Sequence, residues 1–175
     1  MRKITPLFIS LLMAAVPALT QTQPARAQEP AWTTARVEKK MPALTNAAVL
    51  RKVRASRQKG YDRVVFEFDG NSLPDHRVEF KRPPFHLGES DQTVKVPGRA
   101  FISVMFRPAI GYNPDTGQRV VEGPEGSVRL TVLRALTSIY DYEGDVIYIL
   151  GLSARKPFRA QALTDPARLV VDIKH

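Results

Sequence analysis

The alternation of apolar and polar side chains along residues 61–68 constrains the fold of this chain more than any other feature. Val64, Phe66 and Phe68 fall on one face of an extended segment, and mostly charged residues fall on the other. Two further segments share this period of two: residues 77–81 and 168–173. A period of two is typical of a β-strand with one face in the core. The sequence therefore predicts strands that each bury one face.

Prolines and glycines separate these segments. The chain contains 14 prolines, and proline interrupts helices because it lacks the N–H donor and clashes with the preceding turn. Residues 101–107 and 146–152 are apolar on both faces, as expected for central strands. Many short strands separated by prolines and glycines predict an all-β fold. We expect an antiparallel β-sandwich with a disordered N-terminal leader.

Three segments leave alternatives open. Residues 45–59 and 130–140 are compatible with a helix or a strand. A clear strand follows each of them after a short turn, which favours a strand that forms a hairpin with its successor. Residues 108–126 are long for a plain loop. They are predicted to form either a hairpin excursion or a mobile flap.

Residues 1–27 show the order of charge, apolar run and small residues that is typical of a secretory signal peptide. Arg2 and Lys3 precede the apolar run, and Ala25 and Ala27 offer the small side chains that an export peptidase reads. The run is shorter than the roughly 20 residues of a membrane-spanning helix, which disfavours a retained anchor. The sequence therefore predicts export.

Cleavage after residue 27 would leave 148 of the 175 residues, the size of a single domain. Residues 28–46 contain few large apolar side chains and are predicted to form an extended or disordered leader. Trp32 in this leader either docks on the domain or stays exposed. Residues 47–175 are predicted to form the β-sandwich domain.

The charge and the cysteine content limit the possible partners of the protein. The chain has no cysteine, so it can form neither a disulfide nor the acylated cysteine of a bacterial lipoprotein. The net charge of +9 falls to +6 on cleavage, because residues 1–27 carry three cations and no acid. Outside the membrane the abundant polyanions are cell-wall polymers and phospholipid surfaces, although solubility alone would also explain the charge. We expect an exported monomer, periplasmic or extracellular, with no nucleic-acid partner and no stable membrane anchor.

Metal and nucleophile motifs are missing from the sequence. His76, His86 and His175 are isolated and lack the spacing of a zinc motif. There is no cysteine nucleophile and no G-x-S-x-G elbow. Residues 113–117 faintly resemble a calcium loop, but they are ordinary turn formers. We predict no metal site and no cofactor.

Two pairs of acids could still serve a hydrolase. Glu67 and Asp69 form one pair, and Asp141 and Glu143 form the other. A glycosidase needs two carboxylates across a cleft, so catalysis would require folding to bring these pairs together. We expect no enzyme activity.

Tyrosines and arginines are the candidate binding residues. Aromatic rings stack on sugar faces, and the arginine fork binds carboxylates. The candidates are Tyr61, Arg63, Arg77, Tyr140, Tyr142, Arg159 and Arg168. The alternative is that some tyrosines are core residues and the arginines form a solvated face. Arg168 and Asp172 could also form exposed cross-strand ion pairs with Arg63 or Glu67, which contribute about 0 to 1 kcal/mol.

A family resemblance rests on the order and spacing of several strand-and-turn motifs. They are GYDRVVFEF (60–68), LPDHRVEF (73–80), DYEG (141–144), ILGL (149–152), KPFR (156–159) and LTDPARLVVDI (163–173). Together they resemble the AMIN-like domain of exported bacterial proteins, a family related to the AMIN domain of cell-wall amidases and secretion-pore proteins. The resemblance covers nearly the whole chain after the leader.

The resemblance implies a β-sandwich with a non-catalytic role in the envelope, in contact with peptidoglycan or a wall-associated partner. AMIN domains commonly sit beside an enzyme or another module, and here no room remains for one. A free-standing binding protein is therefore expected. The alternatives are a protein-interaction or inhibitor subunit that uses a strand edge or residues 108–126, and a cell-wall hydrolase.

Overall fold

Thirteen strands form the part of the protein that the computed structural model describes, residues 29–175. They are β1 (Val37–Lys39), β2 (Ala48–Gln58), β3 (Tyr61–Phe68), β4 (Asp75–Phe80), β5 (Phe85–His86), β6 (Thr93–Val94), β7 (Ala100–Arg107), β8 (Ala109–Ile110), β9 (Gly126–Ser127), β10 (Leu133–Tyr142), β11 (Asp145–Leu152), β12 (Phe158–Leu163) and β13 (Arg168–Lys174). The all-β prediction is confirmed. Within the described range no helix could span a membrane. The predicted signal peptide, residues 1–27, lies outside that range.

The strands form two large sheets. The six-stranded sheet has the order β1-β4-β7-β11-β10-β9, and the five-stranded sheet has the order β12-β13-β3-β2-β8. Neighbouring strands are antiparallel except β2 and β8, which are parallel. Because β7 and β11 lie in the middle of the six-stranded sheet, the prediction of two central strands is confirmed.

Four aromatic rings join the two sheets across the core. The ring of Phe66 on β3 lies 5.2 Å from that of Phe106 on β7 and 5.3 Å from that of Tyr148 on β11, between centroids. The rings of Phe68 and Phe106 are 4.9 Å apart. All four side chains are buried. Such tilted and edge-on pairs contribute about 0.5–1.5 kcal/mol each beyond the area they bury.

Tight turns explain why the two ambiguous segments are strands. β2 pairs with β3, and Gln58 faces Tyr61 across the turn. β10 pairs with β11 through the turn residues Glu143 and Gly144, whose φ angles are +50° and +80°. Two successive positive φ angles are those of a type I′ turn, which matches the twist of a β-hairpin. The strand interpretation of both segments is confirmed.

The leader is extended and lies against the sandwich over residues 29–46. β1 pairs with β4 at the edge of the six-stranded sheet. Thr33 exchanges two backbone hydrogen bonds of 2.8 Å with Phe158 at the start of β12. Residues 33 and 37–39 are therefore extended against the sandwich, and Trp32 docks on the domain.

Residues 108–126 form a packed excursion along the edge of β2. β8 runs parallel to β2, and the backbones of Val53 and Glu122 are joined by a hydrogen bond of 2.8 Å. Gly123 approaches β2 so closely that a Cβ would lie 1.9 Å from the Val53 carbonyl oxygen. At its tip Asn113 Oδ1 accepts the backbone N–H of Asp115 at 2.8 Å, as predicted for a turn. Tyr112 and Arg119 form an antiparallel bridge on either side of this tip, which confirms the hairpin interpretation.

A second, smaller apolar cluster covers the outer face of the six-stranded sheet. The β5–β6 hairpin places Phe85 on this face, where its ring lies 5.1 Å from that of Phe101. Ile139 and Ile149 complete the buried part of the cluster. The hairpin thereby protects the outward side chains of the central strands from water.

A buried carboxylate at the start of β3 holds the loop before β10. Asp62 is fully buried, and its Oδ2 accepts the backbone N–H groups of Val132 at 2.6 Å and Leu133 at 2.9 Å. His175 Nε2 lies 3.0 Å from the other oxygen. Burial alone would raise the pKa of Asp62, but these hydrogen bonds outweigh it and lower the pKa below its usual value.

Replacing Asp62 by asparagine should lower the free energy of unfolding by about 2 kcal/mol at pH 7, because a neutral amide oxygen accepts the two N–H groups more weakly than a charged carboxylate oxygen does. A lowered folded-state pKa stabilises the fold above the unfolded-state pKa, and this contribution is lost as the pH falls through the folded-state pKa. The difference between wild type and Asp62→Asn should therefore shrink in acid. Urea unfolding at several pH values measures it.

Asp69→Asn is the matched control, because the Asp69 side chain is half exposed and, among residues 29–175, bonds only to Arg51. It should cost no more than about 1 kcal/mol. Equal stability of the two variants would contradict the role assigned to Asp62.

Candidate functional site

The seven predicted binding residues do not form one site. Tyr61, Arg63 and Arg159 come together on the outer face of the five-stranded sheet. Tyr140 and Tyr142 lie together at the β10–β11 turn. The remaining two, Arg77 and Arg168, lie apart from both groups. The predicted role of each in binding a ligand remains a prediction.

The arginines on the outer face of the five-stranded sheet are already paired. Arg63 Nε and Nη2 donate to the two oxygens of Asp172 at 2.7 and 2.9 Å, and Arg159 Nε donates to the same carboxylate at 2.9 Å. The hydrogen bond to Asp172 raises the pKa of Arg63. Asp172 is only 2% exposed. The expected Arg63–Asp172 pair is therefore formed, with a buried carboxylate and a partly exposed guanidinium.

Trp32 of the leader packs against Arg159 and Tyr61 of this cluster. The Arg159 guanidinium lies 4.6 Å from the centroid of the Trp32 ring and 5.2 Å from that of Tyr61. The two rings are 6.1 Å apart, and Glu29 accepts a hydrogen bond from Arg159. Tyr61 and Arg159 thus contact the leader of this same chain, and Arg63 lies beside them in its pair with Asp172.

Arg77 and Arg168 are also engaged locally. Arg77 lies on the outer face of β4, where it forms an ion pair of 3.1 Å with Glu79. Arg168 Nε donates to the backbone carbonyl of Pro166 at 3.2 Å. Arg168 faces Glu67 in the β3–β13 register, but Glu67 pairs with Arg54 instead, at 2.6 Å.

The turn between β10 and β11 borders an open groove of about 370 Å³, here called the Tyr142 groove. Its lining comes from β10, from the loop after β5 and from the excursion: Leu87, Gly88, Arg119, Glu125, Ser138, Ile139, Tyr140, Asp141 and Tyr142. Leu87 is 44% exposed and Tyr142 is 57% exposed. Within residues 29–175 these are the two exposed large apolar side chains, and both line the same groove.

Arg119 connects the groove to the core. Its Nη2 donates to the hydroxyl of buried Tyr148 at 3.2 Å and to Glu125 at 3.1 Å. Its Nη1 lies 4.0 Å from Asp141 Oδ2. Tyr148 also packs on the ring of Phe66, so the guanidinium is positioned by the central aromatic cluster.

The acids of the groove also bond to the backbone. Asp141 Oδ1 accepts the N–H of Gly111 at 3.0 Å, and Glu125 Oε1 accepts the N–H of Ser138 at 3.2 Å. Burial raises the pKa of Asp141, and Arg119 only partly offsets it. Glu89 accepts the hydroxyl of Tyr140, which raises the pKa of Tyr140 to about 12.

The groove combines ring faces with hydrogen-bonding groups. The ring of Tyr142 is exposed, and the carboxylates of Glu125 and Asp141 line the groove with the guanidinium of Arg119. Glu89 adds a third carboxylate through its hydrogen bond with Tyr140. This balance of charge suits hydroxyl and amide groups better than anions. Sequence reasoning found Tyr140 and Tyr142 but missed Leu87, Arg119 and Glu125, since these lie on loops that only the tertiary structure brings to β10.

The two acid pairs considered for hydrolysis do not meet. Glu67 and Asp69 lie on or next to β3 and pair with arginines of β2. Asp141 and Glu143 lie at the end of β10 in the other sheet. Residues 29–175 also contain no group of three or more histidines and acids that could hold a metal ion.

Arg159→Ala should shift the fluorescence of Trp32 to longer wavelength and increase its quenching by acrylamide, because the guanidinium holds the ring on the sheet. Trp32 is the only tryptophan of the chain, so the signal has one source. Arg168→Ala, on the same face of the five-stranded sheet but without contact to Trp32, is the control and should leave the emission unchanged. An unchanged spectrum in Arg159→Ala would mean that the leader is not held by this contact.

Comparison with known proteins identifies one family. A family model described as the AMIN-like domain matches residues 48–175, which hold strands β2 to β13. Searches of curated proteins and of solved structures find no significant match. Domains of this family occur in exported, cell-wall-associated proteins and are in general non-catalytic. The predicted resemblance is confirmed, and the chain belongs to the AMIN-like domain family.

Proposed function

We propose that this protein is an exported, monomeric, non-catalytic envelope domain that binds the glycan of the cell wall through the Tyr142 groove. The observation that carries the proposal is the position of Leu87 and Tyr142, since the two exposed large apolar side chains of residues 29–175 line one groove. Exposed apolar surface with a polar rim marks a binding site. Family membership supports association with the envelope.

Short-range recognition in the groove fits a sugar. The Tyr142 ring offers a flat apolar face for the C–H side of a sugar ring. The Arg119 guanidinium, held by Glu125 and Tyr148, donates to hydroxyl and acetamido oxygens. Glu89 and Asp141 accept hydrogen bonds from sugar hydroxyls. Peptidoglycan glycan, an N-acetylated polysaccharide, presents all of these groups.

Long-range attraction comes from the basic charge of the rest of the protein. The net charge of +6 after cleavage of residues 1–27 draws the protein to a polyanionic wall. This attraction weakens over a Debye length of about 8 Å at physiological salt. Binding should therefore depend on salt for affinity and on the groove for specificity.

The acids of the groove are poorly placed for catalysis. Asp141 caps the backbone of Gly111, and Glu125 is shared between Arg119 and the backbone of Ser138. A glycosidase needs one carboxyl that is free to give a proton and another that is free to act as base or nucleophile. Both carboxylates here hold the groove together, which favours binding without turnover.

A protein-interaction or inhibitor role through residues 108–126 has less support. That excursion pairs with β2, where Val53 and Glu122 are hydrogen-bonded, so it does not project as a docking arm. Its residue Arg119 contributes to the groove instead. Purified sacculi free of protein separate the two roles, because only glycan binding persists there.

Tyr142→Ala should weaken co-sedimentation with purified sacculi by about fivefold, because a stacked ring contributes about 1 kcal/mol. Tyr142→Phe is the matched control and should bind as wild type, since the ring is kept and only the hydroxyl is lost. The apparent dissociation constant is measured at low and physiological salt, and the supernatant is assayed for released reducing ends.

Three outcomes would contradict the proposal. Wild-type protein that does not sediment at low salt would exclude wall binding. Equal binding by Tyr142→Ala and wild type would place the site elsewhere. Release of reducing ends by wild type but not by Asp141→Asn would make the groove an active site.

A further inference from the structure

A cleft at the end of the six-stranded sheet opposite the Tyr142 turn concentrates positive charge. The start of β7, the end of β11 and the β9–β10 loop meet there around an open volume of about 650 Å³. Its lining is Pro97, Gly98, Arg99, Ser127, Val128, Arg129, Arg134 and Ser153. Three arginines and two serines thus line one cleft, here called the Arg99 cleft, and no acid is among the lining residues.

The arginines of this cleft differ from most others in the protein. Arg63, Arg107 and Arg119 each form an ion pair with a carboxylate. Arg99 and Arg129 are exposed, and neither forms an ion pair or a side-chain hydrogen bond with another of residues 29–175. Their charges are therefore uncompensated within the described part of the chain.

The backbone around the cleft is fixed before any ligand arrives. Gly98 lies so close to β11 that a Cβ would be 2.9 Å from the backbone nitrogen of Leu152. The next residue, Arg99, donates its N–H to the Leu152 carbonyl at 2.7 Å. Ser153 donates its N–H to Val132 across the loop at 2.8 Å. A larger residue at position 98 would push Arg99 away from the cleft.

The loop between β9 and β10 orients the side chain of Arg134. Its guanidinium donates to the carbonyl of Leu130 and, at 3.2 Å, to that of Thr131. These bonds fix the side chain without neutralising its charge, because carbonyl oxygens are uncharged. Arg134 therefore adds a positioned positive charge beside the two free arginines.

We propose that the Arg99 cleft binds phosphate groups of an anionic envelope polymer. A phosphate carries more negative charge and more acceptor oxygens than a single carboxylate does. It is therefore the better match for three guanidinium groups. The hydroxyls of Ser127 and Ser153 can donate to the remaining oxygens. This site is distinct from the Tyr142 groove and takes a different chemical group.

A polymer chain fits the cleft better than a membrane surface does. Peripheral membrane binding combines basic residues with apolar side chains that insert between lipids. The exposed large apolar side chains of residues 29–175, Leu87 and Tyr142, line the other site instead. The cleft is also concave, so a chain can lie in it while a flat bilayer touches only its rim.

The test compares Arg99→Gln/Arg129→Gln with Arg57→Gln/Arg82→Gln. All four arginines are exposed and form no ion pair within residues 29–175, so both double variants lose the same charge. Binding of a synthetic glycerol-phosphate oligomer should weaken about tenfold or more in the first variant, because two charge-assisted hydrogen bonds are lost. It should change little in the second. Calorimetric titration at fixed salt measures both, and unchanged unfolding temperatures confirm intact folds.

Other probes decide the chemistry of the ligand. Polyglutamate of equal charge should bind more weakly than the phosphate oligomer, and phosphatidylglycerol vesicles should not outcompete it. Equal weakening in the two double variants would mean attraction by net charge alone and would overturn the proposal. Equal affinity for polyglutamate, or preference for the vesicles, would overturn the assignment to polymer phosphate. Tyr142→Ala should bind the oligomer as wild type does. Failure of the glycan proposal for the Tyr142 groove can therefore be distinguished from failure of the phosphate proposal for the Arg99 cleft.

Discussion

The contact between the aromatic rings of the two sheets is the constraint on which the rest of the structure depends. Phe66 and Phe68 of β3 pack on Phe106 and Tyr148 of the opposite sheet. Since side chains alternate along a strand, this contact also determines which residues face outward. A slip of one residue in β3 would place Arg63 in the core and Phe66 in water. The outward cluster of Arg63 and Asp172 follows from this register.

The core also positions the chemistry of the Tyr142 groove. Tyr148 is part of the aromatic cluster, and its hydroxyl accepts a hydrogen bond from Arg119. Arg119 is in turn held by Glu125, so one chain of contacts runs from the core to the surface. An arginine held in this way loses less conformational entropy if the groove binds a ligand as proposed. The Arg99 cleft is similarly fixed by the end of β11.

Much of the fold could be predicted from the sequence, because period-two alternation and turn residues are local signals. The segments before β3 and β11 needed the hairpin argument, since their own patterns fit either structure. The docking of Trp32 could not be predicted, because it depends on Tyr61 and Arg159 from distant strands. The candidate site was predicted only in part. Tyr140 and Tyr142 belong to a strand, whereas the groove residues that sequence reasoning missed come from loops without a local pattern.

The central claim is that this AMIN-like domain recognises wall glycan in a preformed groove and leaves it intact. Backbone amide shifts of the ¹⁵N-labelled protein, recorded with soluble peptidoglycan fragments, test it most directly. The account predicts that the amides of Gly88, Arg119 and residues 138–142 move on titration, while the fragments stay unchanged in length. Shifts confined to the outer face of the five-stranded sheet, or shortening of the fragments, would contradict it.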